Sequence, residues 1–197
     1  MASFPAINNI WAPEWFFDEK TSEYFLLWSS SSAPHGWQES RLWCARTRDF
    51  QTFSEPQVLL DPGYSVIDGT IVKKDAKYFL FFKEEMFGYL HGERRAIRLA
   101  TSDALEGPYT IESEPVTSII TEGPAIVRRP NSEEWLLLYD YCMSNDYGAS
   151  VSPDLCAWQE TKEIAFPQYA RHGSVFEVSP AELQSLIQTF GEPTPPE

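Results

Sequence analysis

The sequence has few cations, few cysteines, little helical patterning and no long apolar run. Lys and Arg number 15 against 29 Asp and Glu, giving a formal charge of −14 over 197 residues. Binding phosphate needs clustered Lys and Arg, so nucleic acid and anionic membrane surfaces are not expected partners. An acidic surface is compatible with neutral ligands such as sugars. The three cysteines, Cys44, Cys142 and Cys156, are odd in number and lack CxxC spacing. That argues against a disulfide framework or a zinc site, and free buried thiols are expected instead. No apolar stretch approaches the length that spans a bilayer. Met1-Ala2-Ser3-Phe4-Pro5 has no basic region followed by a long apolar core, so no signal peptide is expected. Both the cytoplasm and secretion after removal of a leader fit.

Helix signals are confined to one segment, Pro180 to Phe190. Ser179 suits the N-cap, Pro180 the first helical position, and Glu182 completes a capping box. Leu183, Leu186 and Ile187 recur at helical spacing, and Gly191 stops the run.

Aromatic residues, by contrast, are plentiful at 15%, with seven Trp and thirteen Phe. A chain of this length and composition is expected to form one domain with a sizeable core. Its strand-like segments repeat. One unit runs from a turn carrying an acid into an aromatic strand. Its copies are Trp11 to Trp28, Ile67 to Phe82 and Thr121 to Tyr139, each a hairpin. A second unit follows each copy, as a strand ending in Thr47, Thr101 or Ser152 with Asp49, Asp103 or Asp154 two residues later. A side chain there closes a tight turn by bonding nearby backbone N–H groups, so these three Asp residues are expected to be structural.

The spacing is regular. Asp68 precedes Glu122 by 54 residues, Asp49 precedes Asp103 by 54, and Asp103 precedes Asp154 by 51. Four strands at a period of about 50 residues predict an all-β fold, a β-propeller of four-stranded blades. Three blades are expected at about 11–60, 64–116 and 118–167, with a closing strand at Ser174 to Val178 and the short C-terminal helix over 168–191. The stretch Ile120 to Val127 carries Glu122 beside Gly123-Pro124, a corner that fixes the backbone at the entrance of a strand pair.

In order along the chain, Trp11-Ala12-Pro13-Glu14, Val66-Ile67-Asp68-Gly69, Thr121-Glu122-Gly123-Pro124, Ser152-Pro153-Asp154-Leu155 with Trp158, and Arg171-His172-Gly173 resemble the motifs of glycoside hydrolase family 43. That family comprises five-bladed propellers acting on arabinose- and xylose-containing polysaccharides. The resemblance covers about residues 11–183. It implies that Glu122 is the general acid and that Asp68 orients it and raises its pKa, because a nearby like charge favours the protonated carboxyl. It further implies that Arg171 and Trp11 contact sugar, Trp11 by stacking. Trp15 is read equally as blade core. His172 would line the channel, near a calcium ion held through water or in a purely structural role. No cofactor is required. His35 and His91 lie in polar loops and are expected to face solvent.

One part of the family pattern is missing. The family's general base lies in a blade ahead of the Trp-Ala-Pro motif, and Met1 to Ile10 contain no acidic residue. Asp140, Glu84 and Glu85 are candidates for that role, although strand-end polar positions explain them as well. Three outcomes stay open: a glycosidase of arabinose- and xylose-containing plant polysaccharide, a non-catalytic carbohydrate-binding propeller, or a remnant that self-associates. Open blade faces and cut sheet edges predict a homo-oligomer.

Overall fold

The computed structural model describes residues 6–32, 39–144, 146–167 and 170–192. Its strands form three antiparallel four-stranded sheets, each a consecutive run of the chain. The first holds β1 (Trp11–Asp18), β2 (Glu23–Ser31), β3 (Ser40–Thr47) and β4 (Gln57–Leu60). The second holds β5 (Val66–Lys74), β6 (Lys77–Glu84), β7 (Ala96–Ser102) and β8 (Thr110–Ile111). The third holds β9 (Thr121–Arg128), β10 (Trp135–Tyr141), β11 (Tyr147–Ser152) and β12 (Gln159–Thr161). These are blades of a β-propeller, stacked in sequence. The innermost strand β5 packs on β1, β2 and β3, and β9 packs on β5, β6 and β7.

Two-residue periodicity explains the stacking. Along β6, Leu80 and Phe82 join Phe25, Leu27 and Leu42 of blade one in one core cluster. Phe79 and Phe81 alternate with them and join Leu137, Tyr139 and Leu155 of blade three in another. The middle blade is therefore apolar on both faces, and each such side chain contributes about 1.5–3 kcal/mol by leaving water. Blade one is different. Trp15 and Phe17 of β1 are exposed, and they pack edgewise or tilted on Tyr24, which in turn meets Phe50. Trp15 is thus a surface aromatic and not blade core.

The turns follow their sequences. Asp49 accepts backbone N–H bonds from Gln51 and Thr52, and Asp154 from Cys156 and Ala157. At the third turn the Ser102 hydroxyl accepts from the Ala104 N–H instead. All three cysteines are free, but only Cys44 is buried, and Cys156 is exposed.

The C-terminal part departs from expectation. Helix α1 (Pro180–Phe190) forms with its Ser179–Glu182 capping box. None of its residues is buried. The strand expected at Ser174 to Val178 does not form. Side-chain bonds hold this segment in place of a sheet edge. The Gly173 N–H donates to the Tyr147 hydroxyl of blade three, and the Ser174 hydroxyl donates to Glu14 of blade one. The outer strands are short. β8 has two residues, although the Glu112 and Val116 N–H groups still bond Leu99 and Ile97. His35 lies outside the described residues.

Gly148 sits opposite Tyr139 in the β10–β11 pair. A Cβ there would come 2.6 Å from the buried Tyr139 ring. The ring must shift, so Gly148→Ala is expected to destabilise the protein by about 1–3 kcal/mol. A urea midpoint unchanged from the parent would contradict this packing.

Candidate functional site

The innermost strand of each blade carries one bulge, and the three bulges occupy equivalent places. Pairing slips between Trp11 and Glu14 in β1, and between Ile67 and Thr70 in β5. In β9 it slips at Gly123-Pro124, between the pairs Ala125–Leu138 and Glu122–Asp140. Each bulge has a residue in left-handed backbone: Ala12 at φ 44°, Asp68 at 55° and Gly123 at 60°. A bulge re-aims side chains and is enriched beside functional sites. For Ala12 and Asp68 this conformation costs about 1–3 kcal/mol each, which only a rigid surrounding sustains.

Asp68 joins the blades. Its N–H donates to the Ser29 hydroxyl of blade one at 2.9 Å. Its Oδ2 accepts the Gly123 N–H of blade three at 3.1 Å. Glu122, the neighbour of Gly123, is thereby held beside it. The Asp68, Glu122 and His172 side chains each bring one atom within 4.8 Å of the others.

Cations surround Glu122. Lys83 Nζ, projecting from β6 and almost wholly buried, lies 2.6 Å from Glu122 Oε2 and 2.6 Å from Glu85 Oε2. Arg171 Nη2 bonds Glu122 Oε1 and lies 3.3 Å from Asp140 Oδ1. His172 Nε2 lies 3.4 Å from both Glu122 and Asp140. The Arg171-His172 segment is tied down by the His172 N–H on Asp140 Oδ2. His172 also has left-handed backbone, at φ 47°. Its ring covers Gly123 so closely that a Cβ there would come within 3.2 Å.

These charges reverse the expected proton placement. Burial pushes Glu122 upward, but His172 and Lys83 outweigh it and hold the carboxyl down at about 2. Asp68 moves the other way. Burial raises it to about 6, against the pull of His172 and Lys83. In the arrangement seen, Asp68 holds a proton more tightly than Glu122 does. The hydrogen bond to Glu122, acting against burial and aided by Asp68 and Asp140, raises the His172 imidazole.

The other sequence candidates divide. Trp11 is exposed and lines a cavity of about 430 Å³ together with Asp68, Lys83, Glu85, Glu122 and His172. A smaller cavity of about 200 Å³ opens on the other side of Asp68 and His172, lined in part by Glu14, Gly69 and Ser174. Glu84 is fully buried between Arg94 and Arg98. Asp140 is fully buried and holds Arg171 and His172. Of the three candidates for a base, only Glu85 opens on the cavity, and Lys83 occupies one of its oxygens. His91 is exposed, as expected. Sequence reasoning missed Lys83 and Glu14. The strand-end alternation of Lys83 with Glu85 was the available signal for Lys83. Glu14 was legible only as part of a motif.

Calcium does not fit this donor set. Calcium takes six to eight oxygen ligands, whereas the cluster offers two carboxylates and an imidazole nitrogen. Both oxygens of Glu122 are already engaged by Lys83 and Arg171.

A family model described as a probable glycosyl hydrolase domain matches residues 2–184. An α-L-arabinofuranosidase of Bifidobacterium longum is 32% identical over 97 residues, which is 43% of this chain and 9% of that protein. Among solved structures, a thermostable family-43 glycoside hydrolase superposes with a TM-score of 0.62 at 16% identity, covering 86% of this chain and 62% of its own. A family-43 enzyme of Xanthomonas citri, solved with xylotriose, gives 0.61 at 11% identity, covering 77% and 55%. The chain thus spans less than two thirds of each of these relatives.

The Asp68 carboxyl predicts a pH dependence. Its folded value of about 6 lies above the ordinary 3.8. Below pH 3.8 both folded and unfolded states carry the proton, and its stabilising share is complete. That share is lost as pH rises through 6, by about 3 kcal/mol in all. Asp68→Asn stays neutral throughout, so it should gain stability on the parent between pH 4 and pH 8. Urea unfolding at both pH values measures this, and an equal difference at both would refute it.

Proposed function

The chain belongs to the probable glycosyl hydrolase domain family related to glycoside hydrolase family 43, and from that premise we propose that it acts on arabinose- or xylose-containing glycans at the cavity beside Asp68 and Glu122. The observation that carries this reading is the pair itself. Two carboxylates from equivalent bulges of adjacent blades meet beside an open cavity. The sugar class comes from the relatives, one named an arabinofuranosidase and another solved with xylotriose.

In this reading Glu122 is the general acid and Asp68 its modulator. Arg171 and Trp11 contact the sugar, Arg171 by hydrogen bonds and Trp11 by its ring face. His172 positions Glu122, as a structural residue. The acid needs a proton that the resting cluster denies it. Arg171 is exposed, and among the described residues its guanidinium is anchored by the Glu122 and Asp140 carboxylates. A sugar oxygen entering beside Glu122 displaces its guanidinium and removes one cation, which raises the proton affinity of Glu122. Asp68, with its raised affinity, is the adjacent group able to supply the proton. An inverting mechanism further needs a base about 6.5–9.5 Å away across the sugar. We assign that role to none of Asp140, Glu84 and Glu85, because the first two are sealed from the cavity and Lys83 ties Glu85 to Glu122 itself.

The ionised state of Glu122 favours a second reading, in which the same cavity binds glycan without cleaving it. The exposed face of Trp15, Phe17 and Phe50, together with the uncovered helix α1, supports self-association in either case. A single-chain mass by light scattering would remove self-association from the proposal.

Hydrolysis predicts that Glu122→Gln lowers nitrophenol release from nitrophenyl arabinofuranoside or xyloside by about 10²–10⁴-fold. Absence of turnover by the unmutated protein on all such glycosides sinks hydrolysis. Sugar binding without product then establishes the second reading.

A further inference from the structure

Displacing Arg171 leaves a second cation on Glu122. Lys83 Nζ donates to Glu122 Oε2 at 2.6 Å, and the Lys83 side chain is only 3% exposed. Arg171 can retreat into water, because 41% of its side chain is exposed. Lys83 has no such exit, since an ammonium away from water is strongly disfavoured unless a counter-charge pairs it. While Lys83 stays, Glu122 remains an acceptor. Burial raises its carboxyl, but His172 and Lys83 hold it down at about 2.

A second seat lies at the same distance. Glu85 Oε2 is also 2.6 Å from Lys83 Nζ. The two residues are two apart in the chain, and both line the cavity at Glu122. The Glu85 backbone is fixed by its N–H, which donates to the Ser65 carbonyl at 2.9 Å. Its Oε2 is buried and ion-paired, yet among the described residues it accepts no aligned hydrogen bond. Lys83 thus directs its aligned N–H at Glu122 and stands beside Glu85 with that oxygen unsatisfied. Transferring the bond needs a reorientation of Nζ and no passage through water.

The other charged groups around this pair are already engaged. Asp68 of β5 accepts from the Gly123 N–H, and Asp140 of β10 holds Arg171 and His172. Glu93 pairs with Arg95. Burial pushes the Cys142 thiol up, which keeps it neutral.

We propose that Lys83 is a movable cation with two seats, Glu122 at rest and Glu85 during turnover, and that its transfer to Glu85 lets Glu122 carry the catalytic proton. This inference rests on the glycosidase reading of the cavity. Glu85 acts here as neither acid nor base. It is the counter-charge that keeps Lys83 paired once Glu122 is neutral. The proton passes from Asp68 to Glu122 and on to the leaving oxygen, and Lys83 keeps its own protons throughout. Lys83 and Glu85 are therefore positioning residues.

The test is the pH profile of kcat on a nitrophenyl glycoside, whose alkaline limb reports the protonated acid in the substrate complex. It compares the unmutated protein with Lys83→Met and Glu85→Gln. Lys83→Met removes the cation, so the limb is expected to move up by about 1–3 pH units. Glu85→Gln removes the second seat and confines Lys83 to Glu122. Its limb is expected to move down by about one unit, a tenfold loss of rate at a fixed pH on that limb. A general loss of structure would lower the rate at every pH and leave the limb in place. A carbon-13 titration of the side-chain carboxyls needs no turnover. With Glu122 assigned from the spectrum of Glu122→Gln, its midpoint should rise in Lys83→Met. Glu85 is partly exposed, so Glu85→Gln carries the test if Lys83→Met does not fold. A limb that stays or rises in Glu85→Gln overturns the second seat. An unmoved Glu122 midpoint in Lys83→Met overturns the role of Lys83. Either result leaves hydrolysis standing, whereas absence of turnover by the unmutated protein removes hydrolysis and this proposal together.

Discussion

Asp68 is the point at which three sheets meet. Its N–H reaches the Ser29 hydroxyl of blade one, and its carboxylate reaches the Gly123 N–H of blade three. The residue itself belongs to blade two. Blades in a propeller are held mainly by apolar stacking, which resists separation but sets no angular register. Two short polar bonds from one buried residue supply that register at the inner ends of the sheets. Glu122 inherits its position from this joint, because the bond lands on the residue next to it. The bulge in β5 is what turns the Asp68 side chain inward, and its left-handed backbone is tolerable because Asp adopts that region more readily than most residues.

Electrostatics then divide the work between the two acids. Burial alone would raise both carboxyls. His172 and Lys83 hold Glu122 well below the ordinary carboxylate range, whereas burial prevails at Asp68. Lys83 is itself nearly sealed from water, which it sustains by contacting two carboxylates at once. The site is a balanced cluster of charges held close to one another. Any ligand that removes one cation changes the proton affinity of the rest. Such a site is poised for proton chemistry yet closed to a calcium ion, since the positions a cation would take are already filled by side chains.

The segment Arg171-His172-Gly173-Ser174 does what a closing strand was expected to do, by other means. It is anchored to blade three through Asp140 and Tyr147 and to blade one through Glu14. It therefore bridges the first and third blades across the front of Asp68. Backbone pairing would have demanded an extended run of ladder bonds. Three side-chain bonds leave the polypeptide free to place His172 over Gly123.

The two central acids are legible through the resemblance of their motifs to a known family, and the blades, their hairpins and the capped helix in the residues alone. Each of these rests on local rules. Two-residue alternation, turn chemistry and a period near 50 residues act over a few neighbouring positions and repeat along the chain. Tertiary structure decided which acid binds a proton more tightly. That outcome depends on Lys83, 39 residues before Glu122 in the chain, and on His172, 50 residues after it. No local pattern reports such distances. Tertiary structure also separated the three strand-end carboxylates: Asp140 and Glu84 serve as buried anchors, while Glu85 opens on the cavity. In sequence they look alike, because each simply ends a strand. Burial and the approach of cations from other strands are properties of the folded arrangement, and these set the chemistry of each acid.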